Sequence, residues 1–143
     1  MFANGDIDSP IKAAQVLRHT GANGVMIGRA AQGRPWLCGQ IASYLKNGEL
    51  KADPSTQQQW QIIKDHLNDL HQFYGEYTGV RVARKHVGWY LQGAGSDPAP
   101  RQEFNRLESA QQQLDKLEDY FSQYHKDSQC DYHGKNNYKE LAA

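Results

Sequence analysis

The sequence predicts an α/β segment followed by an all-α segment. Up to about residue 50, short apolar runs alternate with amphipathic ones, each switch marked by Gly, Asn, Asp or Pro. Beyond that point strand-like runs stop, and apolar residues recur at steps of three and four to about residue 125.

Phe2-Ala3 is the end of an apolar strand, and Asn4-Gly5-Asp6 is a turn in which Gly5 is free to adopt positive φ or to approach a ligand. A helix follows, with Asp8 or Ser9 as its cap, Pro10 at the first position, Ile11, Ala14 and Leu17 on one face, and Gly21 as terminator. Val25-Met26-Ile27 is a second short strand, with Gly28-Arg29 just past its end. Parallel strands require a crossover, so the order strand, helix, strand, helix implies a parallel sheet with helices outside it. Both turns then fall at the carboxyl ends of strands, where ligands gather. Gly28 lets the backbone come close to an anion, and Arg29 presents a planar fork of donors that matches phosphate. Asn4, Gly5, Asp6, Gly28 and Arg29 are thus candidates for one anion site. Read singly, each is also an ordinary turn or solvated residue.

Pro35 starts another helix, with Leu37, Ile41, Tyr44 and Leu45 on one face and Asn47-Gly48 at its end. A domain boundary is expected between Gly48 and Asp53, dividing residues 1–50 from 53–125, with a loosely ordered tail over 126–143. Asp53-Pro54 is a capped start for a long helix carrying Trp60, Ile63, Leu67, Leu70, Tyr74 and Tyr77. A second helix is expected from Val80 to Gln92, and a third long one carries Phe104, Leu107, Leu114, Leu117, Phe121 and Tyr124, together a small antiparallel bundle.

Sixteen basic residues balance sixteen acidic ones, so no global basic field announces nucleic acid, and any such reading rests on local clustering. DNA is not an expected partner. Arg81, Arg84 and Lys85 lie at i, i+3 and i+4 and share a face flanked by His86 and Trp89, a combination suited to RNA phosphates and an unpaired base. The plainer alternative is a solvated stripe paired internally with Glu108, Asp115, Glu118 or Asp119, with Trp89 in the core. Cys38 and Cys130 are far apart and support neither a disulfide framework nor a Cys-x-x-Cys site, so a reducing cytoplasm is expected. No run has the length of a signal peptide core or a membrane helix. His66 and His71 are five apart, not the helical metal spacing, and His125, Asp127, Cys130, Asp131 and His133 match no familiar zinc set, so no metal site is expected. No catalytic nucleophile, base and acid assemble from motif context.

The run from Ala3 to Tyr124 resembles the carboxyl-terminal part of bacterial tRNA-dihydrouridine synthases, most closely the B type. The resemblance is carried by Ala3-Asn4-Gly5-Asp6-Ile7, by Met26-Ile27-Gly28-Arg29-Ala30-Ala31-Gln32-Gly33-Arg34-Pro35-Trp36, and by Arg84-Lys85-His86-Val87 with Trp89-Tyr90-Leu91. It implies the last two β/α units of a TIM barrel that binds FMN, followed by a helical domain that grips tRNA, which adds weight to Arg81, Arg84, Lys85 and His86 as the RNA-binding candidates read from their clustering. It also implies that Asn4, Gly5 and Asp6 form the flavin-binding turn after the seventh strand and Gly28-Arg29 the phosphate turn after the eighth. The family reaction reduces the C5–C6 double bond of uridine in tRNA, with NADPH as reductant and a cysteine as proton donor. That cysteine and the flavin-contacting lysine and histidine belong to earlier strands with no counterpart here, and Cys38 reads as packing. The sequence therefore resembles a truncated product beginning at an internal Met, expected to be inactive alone. Two other readings stay open: a stand-alone helical RNA-binding module with a vestigial barrel stub, and part of a barrel flavoenzyme acting on a small molecule.

Overall fold

A computed structural model describes residues 1–93 and 98–127. Strand β1 (Phe2–Asn4) and strand β2 (Gly24–Met26) pair in parallel, with Ala3 opposite Val25, and helix α1 (Pro10–Thr20) makes the crossover between them. Of the two expected caps, Ser9 is used: its Oγ accepts from the Lys12 amide, and Gly21, at φ 65°, closes the far end by donating to the Leu17 carbonyl. A single 3₁₀ turn, Arg29–Ala31, follows β2 and leads into α2 (Trp36–Asn47), which Gly48 terminates at φ 75°. Ile7, Ala13, Leu37 and Ile41 form the core between sheet and helices. Phe2 and Met26 stay exposed, the apolar flanks expected of so narrow a sheet.

The helical part differs from the sequence expectation at three places. Helical segment α3 (Thr56–Gly93) is capped by Ser55 and not by Asp53: Ser55 Oγ accepts from the Gln58 amide while Gln58 Oε1 accepts from the Ser55 amide, a reciprocal capping box. Asp53 has another task. Its Oδ1 accepts from Trp36 Nε1 at 3.1 Å and from Gln40 Nε2 at 2.9 Å, with the Arg34 guanidinium 3.8 Å away, and so ties the connection after α2 back onto α2. Gln40 is buried and its Nε2 keeps the Lys51 carbonyl at 3.2 Å, so Asp53→Ala leaves one buried N–H of Gln40 unpaired and is expected to cost about 1–3 kcal/mol, read by urea denaturation.

The second difference is at Gly75, whose φ of 74° and ψ of 166° lie in a region open essentially to glycine alone. The chain reverses there, so residues 56–74 and 76–93 form two arms of an antiparallel hairpin. A Cβ on Gly79 would sit 2.9 Å from the Leu70 carbonyl oxygen, which shows how closely the arms approach. The stripe read through Tyr77 as one helix therefore ends early. Ile63 and Leu67 are buried, but Phe73, Tyr74 and Tyr77 stand exposed around the reversal. The third difference divides the last helix into α4 (Pro98–Phe104) and α5 (Ala110–Asp127), with Ser109 capping α5 and Glu76 of the hairpin accepting from the Ala110 amide. Helix α5 runs to Asp127, and residues 128–143, with Cys130, Asp131 and His133 of the tail, lie outside the described residues.

Ile63, Leu67, Ala83, Val87, Tyr90, Leu91, Phe104, Leu117 and Phe121 form the second core, distinct from the first, with Trp36 packed at its edge. The buried Gln113 spans the hairpin: its Nε2 donates to the Val80 carbonyl, so its Oε1 faces His71, whose Nε2 carries the proton at 2.9 Å. No helix among the described residues is long and apolar enough to cross a membrane.

Candidate functional site: an open anion cleft and an aromatic-cationic helix face

Parallel pairing of β1 with β2 brings the two sequence-predicted turns side by side. Asn4, Gly5, Asp6, Gly28 and Arg29 all line one open cleft of about 880 Å³ at the carboxyl ends of the strands. Gly5 has φ 131°, and Asp6 follows with a positive φ of 36°, unusual for a residue with a side chain but tolerated best by Asp and Asn. This backbone aims the Asp6 carboxylate across the cleft, where Oδ1 accepts from Arg29 Nη2 at 3.0 Å. Both side chains are more than four-fifths exposed, so the pair adds little to stability and serves mainly to orient the guanidinium. Asp8, also lining the cleft, is 3.9 Å from Lys12. On the other lip, the first hydrogen-bonded amide of the 3₁₀ turn is that of Ala31, which donates to the Gly28 carbonyl. The amides of Gly28, Arg29 and Ala30 precede it, as orphan donors do at a helix start. Beside Gly5 and Gly28 there is open space: a Cβ at either would meet nothing within 4 Å.

The basic residues of α3 distribute differently from the sequence expectation. Arg84 does not share an exposed face with Arg81 and Lys85. It turns inward, Nη2 donating to the Leu107 carbonyl at 2.9 Å, and its buried Nε has no partner among the described residues. The exposed face is built instead from residues at a strict step of four: Tyr77, Arg81, Lys85 and Trp89. The Arg81 guanidinium lies 3.9 Å from the Tyr77 ring centroid and Lys85 Nζ 4.9 Å from that of Trp89, so cations and aromatics cover one another along about 18 Å of helix. No carboxylate pairs with Arg81 or Lys85 among the described residues, which removes the internal pairing with α5 as an account of their charge. Tyr77 is the member hidden in the sequence, counted in the preceding apolar stripe, whereas Trp89 reads both as flanking the basic face and, in the plainer alternative, as core. Trp89 is half-buried, and Cys38, read as packing, is exposed.

Trp89 also lines a second cavity, of about 370 Å³, between the hairpin and the 28–35 connection. Here His86 meets His66 edge-on with ring centroids 4.8 Å apart, and His66 Nδ1 shares a hydrogen bond with the Tyr90 hydroxyl at 3.0 Å. Burial pulls both imidazoles below their ordinary pKa; Asp69 opposes this at His66, whereas His66 and Lys85 reinforce it at His86. The unfolded chain therefore takes up these protons first as pH falls. Stability is fully present above about pH 6.5 and is lost as the pH drops through the folded-state values. The thermal unfolding midpoint is expected to decline over that range, and less steeply in a His66→Gln/His86→Gln variant.

No group of three or more His, Cys, Asp or Glu is placed to hold a metal ion among the described residues. Residues 1–125 match the family described as dihydrouridine synthase (Dus). The chain is 52% identical to tRNA-dihydrouridine synthase B of Vibrio cholerae over 121 residues, covering 85% of this chain and 38% of that relative. With the protein of the same name from Pseudomonas syringae it shares 47% over 143 residues, covering 100% of this chain and 41% of the relative, and with that from Xanthomonas axonopodis 53% over 121 residues, covering 85% and 36%. The chain thus spans roughly two-fifths of the length of the curated relatives it matches. With the family model matched over nearly all the described residues, the chain belongs to the dihydrouridine synthase family.

Proposed function

We propose that this chain forms the FMN-phosphate-binding and tRNA-binding end of a cytoplasmic tRNA-dihydrouridine synthase, an enzyme that reduces uridine to 5,6-dihydrouridine in tRNA. In this reading β1 and β2 are the seventh and eighth strands of a TIM barrel, whose phosphate sites commonly lie after those two strands. The observation that supports it most is that both strand-end turns line one cleft together with Arg29.

The residues present fit a phosphoryl group. Gly5 and Gly28 leave room for one against the backbone, the Gly28, Arg29 and Ala30 amides precede the first bonded amide of the 3₁₀ turn, and the Arg29 guanidinium has one arm on Asp6 and no other hydrogen-bond partner among the described residues. When bound, FMN supplies the hydride for the uridine C5–C6 double bond, with NADPH as the reductant that restores it. This chain's part is to hold the phosphoryl end so that the rest of the cofactor is oriented, and to hold the RNA through Arg81 and Lys85, with His86 beside them. Arg84 stands behind that surface, supporting it through Leu107.

The test compares FMN with riboflavin, which lacks only the phosphate, by amide chemical shifts of the labelled chain. Gly5, Gly28, Arg29 and Ala30 are expected to move together with FMN and with inorganic phosphate but not with riboflavin, and Arg29→Glu is expected to abolish the response. Equal shifts with riboflavin would remove the phosphate assignment.

A further inference from the structure

The cavity between the hairpin and the 28–35 connection lies off the strand-end cleft, sharing only Gly28 with it. Among the described residues no Asp, Glu, Lys or Arg lines it. Its walls are the Trp89 ring, Ile62, Pro35 and the small residues of the connection, and its polar groups are His66, His86, Tyr90 and Gln32. His66 Nδ1 is engaged by Tyr90, but His66 Nε2 and both nitrogens of His86 have no hydrogen-bond partner among the described residues. Such a site suits a neutral planar ligand carrying both donors and acceptors, because an imidazole held neutral offers one of each. The wall is stiff: Gly33, at φ 74°, packs its Cα against the Trp89 carbonyl so closely that a Cβ would lie 2.3 Å from that oxygen. Lys85 Nζ sits over the ring of Trp89, the one residue that belongs both to this lining and to the Tyr77–Arg81–Lys85–Trp89 face.

We infer that this cavity receives one unpaired nucleobase of the RNA whose phosphates lie along that face. The inference rests on the tRNA-binding reading above and adds a base site to it. Lys85 holds the adjoining phosphate, Trp89 offers a ring for the base to stack on, and His66 Nε2 and His86 meet the base edge by hydrogen bonds. The second neutral planar candidate is the flavin ring, and the test separates the two.

An unmodified tRNA transcript is titrated with the chain at several salt concentrations. His86→Ala and Trp89→Leu are expected to weaken binding by roughly five- to 150-fold, the worth of one stacked base, while leaving the slope of log K against log salt unchanged. Lys85→Ala is expected instead to make that slope shallower by about 0.7 to 0.9, one phosphate's share. In parallel, ring resonances of His66 and His86 in the unmutated chain are followed with the transcript and with riboflavin, so the result stands whether or not a variant folds. Movement with the transcript alone supports the base site. Movement with riboflavin alone, or tRNA binding that depends on Arg81 and Lys85 yet leaves both His rings unmoved, overturns it while the tRNA reading survives. No tRNA binding by the unmutated chain would overturn both.

Discussion

Reversing charge at Arg81 and Lys85 together is expected to lower affinity for tRNA by roughly 100-fold at low salt and to make the salt slope shallower by about 1.5. Both cations are exposed, both lie over aromatic rings, and neither has a carboxylate partner among the described residues. The double variant Arg81→Glu/Lys85→Glu therefore removes two phosphate contacts and sets two anions in their place, without leaving a buried group unpaired. Its fold should be unaffected, which circular dichroism and the thermal midpoint check. Arg84→Glu is the informative contrast. That side chain is committed to the Leu107 carbonyl, so a carboxylate there loses the hydrogen bond and faces an oxygen, and the loss appears first as a lower midpoint. If Arg84→Glu weakened tRNA binding with an unchanged midpoint while the double variant bound normally, the face described here would be the wrong one.

Gly33→Ala carries the largest expected cost in stability, about 2–5 kcal/mol, combining left-handed strain with overpacking against backbone. The nearest atoms are the carbonyl oxygen and carbon of Trp89, at 2.3 and 2.6 Å, and helical backbone cannot yield as a flexible side chain would. The connection must separate from the hairpin, opening the cavity that His66, His86 and Trp89 line with it. Gly21→Ala isolates the strain term, since its φ is 65° and nothing lies within 4 Å of its Cβ; it is expected to cost only about 1–2 kcal/mol. Urea denaturation of the two variants compares the costs directly, and equal losses would mean that the contact at Trp89 is not what makes position 33 special.

Legibility in the sequence followed how local each determinant is. Ser9, Pro10, Gly21 and Gly48 act on backbone within four residues of themselves, and they delimit α1 and end α2 where expected. The parallel pairing of β1 and β2 was readable because the crossover constrains it, and with it the meeting of Gly5 and Gly28 in one cleft. Gly75 was not readable: the three–four spacing of apolar residues continues on both sides of it, and only its backbone angles reveal the reversal. Arg84 looks identical in sequence to its neighbours, and its direction is decided by Leu107, 23 residues later. Asp53 reads as a cap for the same reason, since Trp36 and Gln40 are brought to it by tertiary packing. The Tyr77–Arg81–Lys85–Trp89 face did leave a signal, a strict step of four, masked because Tyr77 also fits the apolar spacing of the preceding arm.

The most direct measurement is a crystal structure of this chain with FMN bound. A shared site at the two strand ends predicts the phosphoryl oxygens within hydrogen-bond distance of the Gly28, Arg29 and Ala30 amides and of the Arg29 guanidinium, with Gly5 packed against the same group. A phosphoryl group seated away from both turns, or Gly5 and Gly28 facing different ligands, would contradict it.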